Sequence, residues 1–165
     1  MKRLLPVLLL FAFLFSGCSE KKGLSCEDIA VKLLSYAGGG ALESGQIFLL
    51  GAREGSAEYF SNENKAILYG KKAAEYSFGK IEDAAVFVSA RGFDEIAVFK
   101  CYSSSDTGEI ARMCLSRADM LKIAFKGTEW SERAKRIRVS IHKKFVLMVF
   151  SDNSLKIEEE FKCLV

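Results

Sequence analysis

The sequence has little of what most catalytic centres require. It contains a single histidine, His142, and none of its five cysteines forms a Cys-x-x-Cys pair. A catalytic triad or dyad needs a positioned base beside a nucleophile, and a catalytic zinc ion usually needs several protein ligands. His142 alone supplies neither. We therefore assign no catalytic residue and no metal ligand, and we expect that the protein is not an enzyme.

Other chemical motifs are missing as well. The run Gly38-Gly39-Gly40 lacks the Lys-Ser/Thr of a phosphate-binding loop, and it favours the end of a helix. Aspartate and glutamate are numerous, but no pair stands in a context recognisable for glycoside hydrolysis. The sequence predicts no cofactor apart from a covalent lipid, which is argued below.

A strong excess of charge is also absent. Lysine and arginine number 24 against 21 aspartates and glutamates, which gives a net charge of +3. Removal of a leader that carries Lys2 and Arg3 lowers this net charge by two, to +1. A nucleic-acid partner would need a strongly basic face, so none is expected.

What the sequence does have is an export signal over residues 1–17. Lys2 and Arg3 precede an apolar run over residues 4–15 that contains the only proline, Pro6. Small residues then lead to Cys18, which is the order of a secretory leader. Twelve residues rise about 18 Å as a helix, whereas the hydrocarbon core of a bilayer is about 30 Å thick. The run is therefore too short for a comfortable permanent span.

The end of the leader predicts a lipid anchor. Leu14-Phe15-Ser16-Gly17-Cys18 resembles the lipobox of bacterial lipoproteins, with Phe15 at a position that is usually leucine. The resemblance implies that Cys18 receives diacylglycerol before cleavage, and two acyl chains anchor a protein stably. We expect an extracytoplasmic, lipid-anchored protein with a tether over residues 18–25 and a single domain over residues 26–165.

Hydrophobic periodicity predicts the architecture of that domain. Ser25 is expected to cap a first helix, and Ser61 to cap a second that ends at Gly70. Two β-hairpins, over residues 84–102 and 136–150, are each followed by a helix. Strands joined by tight loops are antiparallel, so we predict an α+β fold: a mostly antiparallel sheet in ββα-ββα order with helices packed on it, preceded by two N-terminal helices.

Two finer expectations concern individual segments. Residues 46–50 fit either a strand or a hydrophobic stretch packed under the domain. The continuous apolar run over residues 145–150 predicts a central strand that is covered on both faces. In the last helix, Ile157, Phe161 and Leu164 are expected to face inward, and Glu158, Glu159 and Glu160 outward.

Four cysteines remain beside Cys18. Outside the cytoplasm, Cys26, Cys101, Cys114 and Cys163 could form disulfides in three full pairings. The spacing of Cys114 from Ile110 and Ala118 places it on the buried face of a helix. Cys101 shares a strand face with Ala97 and Phe99, which favours a small buried side chain over a nucleophile.

Residues 60–162 and the lipobox resemble a known family. The residues that carry the likeness are Leu68-Tyr69-Gly70, Glu95-Ile96-Ala97-Val98-Phe99-Lys100 and Phe145-Val146-Leu147-Met148-Val149-Phe150-Ser151-Asp152. The chain is similar to the small lipoproteins called domain of unknown function four-three-five-eight, found mainly in Gram-positive bacteria. Between the long helix and the third strand, where members often carry Tyr and Pro, this chain reads Gly127-Thr128-Glu129-Trp130-Ser131. The resemblance implies location and architecture, and it supplies no catalytic residues.

The most prominent surface feature is a basic run on the third predicted strand and its turn, preceded by Arg133 and Lys135, which are expected on the same surface. Arg136 and Arg138 alternate with apolar residues and are expected on the outer face of the sheet; Lys143 and Lys144 lie at the turn. These four side chains could contact anionic lipid headgroups or an anionic wall polymer. Alternatively, they form a solvated strand face that discourages edge-to-edge aggregation.

Two functions remain open at this point. The first is a non-enzymatic envelope lipoprotein that binds a partner, such as another envelope protein, or serves as an accessory domain. The second is a small cell-surface hydrolase or ligand carrier. A concave pocket with convergent polar groups would favour the second function, and a flat apolar patch would favour the first.

Overall fold

The computed structural model describes residues 23–37, 45–89 and 94–165. The leader, Cys18, most of the tether, the three-glycine run and most of the first hairpin loop lie outside these ranges. The described elements, in chain order, are α1 (Cys26–Leu34), β1 (Gly45–Leu49), α2 (Asn62–Tyr69), α3 (Lys71–Tyr76), β2 (Ile81–Ser89), β3 (Glu95–Cys101), α4 (Thr107–Ala124), α5 (Ser131–Ala134), β4 (Arg138–His142), β5 (Phe145–Phe150) and α6 (Ser154–Leu164). None of the helices in the described ranges is both long and apolar enough to cross a bilayer.

The strands form one antiparallel sheet in the order β1-β2-β3-β5-β4. This confirms the predicted α+β class and the mostly antiparallel sheet. Strand β1 lies at one edge, paired with β2, and settles the open interpretation of residues 46–50 in favour of a strand. In the described ranges β1 falls between α1 and α2, so these two helices are not successive elements before the first hairpin. Sequence periodicity left this strand unassigned because it has only five residues. The alternation of Gln46 and Phe48 with their neighbours is too short to show a clear period.

Helices cover the sheet on both faces. On one face, α2, α3 and α4 pack against a core that includes Ala97, Phe99, Val146 and Met148. On the other, α1 and α6 pack against a core that includes Ile96, Val98, Leu147 and Val149. Residues 146–150 of β5 are all buried, which confirms the prediction that this strand is covered on both faces.

Capping side chains define the starts of α1 and α2 as the sequence predicts. The Ser25 hydroxyl accepts a hydrogen bond from the Asp28 amide at 3.0 Å, and the Asp28 carboxylate accepts one from the Ser25 amide at 3.1 Å. This capping box satisfies two amides that would otherwise lack partners. The Ser61 hydroxyl caps α2 by accepting a hydrogen bond from the Asn64 amide at 3.1 Å, and Gly70 ends the helix at a φ of 87° that favours glycine.

The long helix α4 confirms the predicted apolar stripe. Ile110, Cys114, Ala118 and Leu121 are all buried, and Phe125 at the helix end is half-buried. Cys114 is fully inaccessible to solvent, so it is a core thiol as expected. The helix buries its apolar face against the sheet, and the opposite face carries polar residues and a few exposed apolar ones.

A charged pair is buried where β3 begins. Glu95 is 2% exposed, and Arg117 from α4 meets its carboxylate through Nε at 3.1 Å and Nη2 at 2.7 Å. Burial raises the pKa of Glu95, while the Arg117 guanidinium acts in the opposite direction. The pair therefore connects the central strand to α4 through two charges that have lost most of their water.

Breaking this pair from one side should be costly. We expect Arg117→Met to lower the free energy of unfolding by about 3–5 kcal/mol, because Glu95 is left charged and unpaired in the core. The double variant Glu95→Leu/Arg117→Met should recover most of that loss. The matched control is Lys122→Met, which removes the exposed Lys122–Asp119 pair of the same helix and should cost about 0–1 kcal/mol. Urea denaturation measures all three values, and a double variant no more stable than Arg117→Met would contradict this account.

Candidate functional site

The two arginines of the basic run are both ion-paired. Arg138 donates through Nε to the Glu158 carboxylate of α6, which also accepts from Lys162 at 2.7 Å. Arg136 Nη2 lies 3.3 Å from Asp152 Oδ1. The expected bare outer face is therefore partly covered by α6, because Arg138 pairs in register with Val149, whose side chain belongs to the core beneath that helix.

Glu158 was expected to face outward and does not. It is 7% exposed and lies against the edge strand, whereas Glu159 is exposed. Burial alone would raise the pKa of Glu158, but Lys162 and Arg138 together hold that pKa below its ordinary value. The alternation of β4 also ends early, since Ile141 is 46% exposed beside the turn while Val139 packs against the core.

The two lysines of the run lie at the hairpin turn, as predicted. Lys143 Nζ donates to the carbonyl oxygen of Val165 at 2.6 Å, and Lys144 Nζ donates to that of Tyr102 at 3.0 Å. Both side chains are exposed, and neither forms an ion pair with an Asp or Glu side chain of the described ranges. At the turn, the two exposed lysines are therefore held by backbone oxygens, whereas the two arginines of the strand are held by carboxylates.

Trp130 lies in a cluster around a third arginine. The Arg133 guanidinium carbon is 5.4 Å from the Trp130 ring centroid and 5.2 Å from that of Phe150. Arg133 was expected on the basic surface, but it is buried because it forms an ion pair with Asp94. Burial raises the pKa of Asp94, and Arg133 lowers it again in part. Trp130 thus stacks over a structural arginine at the end of the sheet.

Three of the four cysteines in the described ranges are buried. Cys26, Cys101 and Cys114 are buried free thiols, Cys163 is an exposed one, and none of the possible pairings among them is formed. Burial raises the pKa of Cys101 to about 11, and it raises the pKa of Cys26 and Cys114 further. His142 is half-buried at the end of β4. Within the described ranges, no group of three His, Cys, Asp or Glu side chains could hold a metal ion.

Cavities lie around α2 and α3, a region in which the sequence suggested no site. Half-open cavities of about 380, 520 and 630 Å³ are each lined in part by residues 62–79. The two larger ones flank α3, and none of the six residues of that helix is buried. The largest of the three is lined by two lysines, Lys65 and Lys71, and by apolar side chains that include Phe78. We call it the lysine cleft.

Lys65 is the residue that sequence reasoning missed. It lies one turn before Leu68 and Tyr69, the buried residues of α2, and so occupies an inward position of the helix. A lysine at such a position is the signal that could have identified the cleft. The cation lies 5.2 Å from the ring centroid of Phe78 and 5.8 Å from that of Phe60.

No protein-family model, curated protein or solved structure matches the chain.

The different surroundings of Arg138 and Arg136 lead to a stability test. Arg138→Gln should lower the free energy of unfolding by about 1–2 kcal/mol, because buried Glu158 loses one of its two charged donors. Arg136→Gln should change it by about 0–1 kcal/mol, since Asp152 is exposed. Urea denaturation of both variants is the measurement. Equal losses would show that the edge strand is as solvated at Arg138 as at Arg136.

Thiol reactivity tests the burial of the cysteines. In the folded protein with Cys18→Ser, iodoacetamide should modify Cys163 rapidly and leave Cys26, Cys101 and Cys114 intact until urea is added. At pH 8 a thiol with a pKa near 11 is only about 0.1% thiolate, and the buried thiols are also inaccessible. Adding Cys163→Ser should abolish the fast reaction. Rapid alkylation of Cys114, read by peptide mass spectrometry, would refute its place in the core.

Proposed function

We propose that this chain is an extracytoplasmic lipoprotein, anchored through diacylglycerol on Cys18, whose single domain binds a ligand and does not catalyse a reaction. The observation that carries the proposal is the leader, with its basic start, its apolar run of 12 residues and its small residues before Cys18. A diacyl anchor holds a protein stably without a transmembrane helix.

The start of the domain supports this arrangement. The capping residue Ser25 lies seven positions after Cys18, so the intervening chain spans at most about 25 Å when fully extended. A domain held on such a tether stays beside the bilayer surface. Lys143 and Lys144 at the β4–β5 turn, together with Arg136 and Arg138, remain our prediction for contact with anionic headgroups or polymer.

Binding is favoured over catalysis by the chemistry of the described side chains. The buried cysteines have raised pKa values, so their nucleophilic thiolate form is disfavoured at neutral pH. The lysine cleft combines apolar walls with amine and amide groups, which is typical of small-molecule sites. A cleft of this kind favours a ligand carrier over a protein that docks a partner on a flat surface. A small surface hydrolase remains the alternative function.

Two further interpretations accompany the proposal. We infer that residues 81–165 are organised as two successive ββα units, with β1 added at the edge of the sheet. The resemblance of residues 60–162 to the lipoprotein family named above fits the same location and architecture. Both interpretations concern origin and placement, and neither assigns a reaction.

The anchor can be tested directly in bacterial cells. Metabolic labelling with an alkynyl fatty acid should mark the wild-type chain and leave Cys18→Ala unlabelled, because lipidation requires that thiol. The matched control is Cys163→Ala, which removes an exposed thiol elsewhere and should label normally. Equal labelling of Cys18→Ala and wild type, read by in-gel fluorescence after click coupling, would overturn the proposal.

A further inference from the structure

The lysine cleft contains an unusual cation. Three lysines in the described ranges are half-buried: Lys65, Lys80 and Lys100. Lys80 forms an ion pair with Glu109, and Lys100 forms one with Glu82 at 2.7 Å. Lys65 forms no ion pair with any described carboxylate. Its amine has one long hydrogen bond, 3.4 Å to Asn62 Oδ1. Lys65 is therefore the half-buried lysine whose charge is left without an anion.

The surroundings of Lys65 increase the cost of that charge. Its amine lies against the rings of Phe60 and Phe78, which are themselves buried. Burial lowers the pKa of Lys65, so water stabilises the ammonium less here than on an open surface. The aromatic faces offset part of this loss through cation–π attraction. An anion that entered the cleft would offset more of it.

The remaining lining defines what kind of anion fits. The cleft encloses about 630 Å³, which is within the range of small-molecule sites. Leu50, Ala66, Ala74 and Phe78 give it apolar walls, and these would not favour a bare inorganic ion. Lys71 adds a second cation and Glu75 one carboxylate, so the charged lining is net positive. The cleft therefore matches a molecule with one acidic group and a hydrocarbon or aromatic body.

We propose that the lysine cleft is a binding site for an organic anion, with the acidic group of the ligand paired to Lys65 and its apolar body against Phe78 and Leu50. This deepens the binding role proposed above and is independent of lipidation at Cys18. The ligand is either a free organic acid or an anionic membrane lipid, which share the same chemistry.

The experiment uses the full chain in nanodiscs of zwitterionic lipid, with empty nanodiscs as the background. The probe is anilinonaphthalene sulfonate, an anion on an aromatic body, and its neutral analogue N-phenylnaphthylamine serves as the uncharged comparison. Lys65→Met should weaken binding of the sulfonate by about tenfold or more, since it removes a charged partner. Binding of the neutral analogue should be unchanged or tighter, because methionine packs well against aromatic rings.

The matched control is Lys32→Met, which removes an exposed lysine from the opposite face of the sheet and should leave both affinities unchanged. Fluorescence titration gives the affinities, and urea denaturation verifies that the variants fold. A second measurement uses the wild type alone: bound sulfonate should slow acetylation of Lys65 and not that of Lys32. Equal sulfonate affinity of Lys65→Met and wild type, or no protection of Lys65, would overturn the proposal.

A final arm identifies the source of the ligand. If the natural ligand is a membrane lipid, anionic phospholipid added to the nanodiscs should displace the sulfonate from the wild type and not alter the residual binding of Lys65→Met. Retention of the sulfonate assigns the cleft to a free organic acid. Failure of every arm would remove the cleft as a site but would leave the fatty-acid labelling of Cys18 unaffected.

Discussion

The burial of β3 on both faces is the constraint on which the rest of the structure depends. A strand covered on both sides needs a helical layer above and below it. Here α1 packs on one face of β3, and the side chains of the other face share a core with α4. The first residue of β3, Glu95, is nevertheless charged, and so is Asp94 just before it. Arg117 and Arg133 must then reach these carboxylates, which fixes α4 and α5 against the same end of the sheet.

The sequence predicts the parts of this fold whose pattern is long enough to show a period. The 18 residues of α4 present a buried face at helical spacing, and residues 145–150 are apolar without interruption. The end signals Ser61 and Gly70 also predict α2, whereas strand β1 and helix α3 are short, with five and six residues. Their positions are set by contacts with distant segments, such as the pairing of β1 with β2, and local spacing carries little information about them.

The candidate site was harder to predict than the fold because it depends on which lysines have no carboxylate within ion-pair distance. Lys65, Lys80 and Lys100 are the same residue type, and only the placement of Glu109 and Glu82 from other elements distinguishes the paired lysines from the unpaired one. The same reason explains Glu158. It is the first of three consecutive glutamates. It faces inward because α6 lies over the edge strand β4, where Arg138 forms an ion pair with its carboxylate.

The attachment of α1 has a mechanical consequence. Tension on the N-terminal residues reaches the domain at Ser25 and passes to the sheet through the Cys26 amide, which donates to Asp83 at 2.8 Å, and through side chains such as Ile29 and Leu33. No strand pairs with α1, so it can be pulled away while the backbone hydrogen bonds of the sheet remain intact. Detachment of α1 would uncover the core that it shares with α6. The lysine cleft lies among the helices of the opposite face and shares none of the α1 contacts.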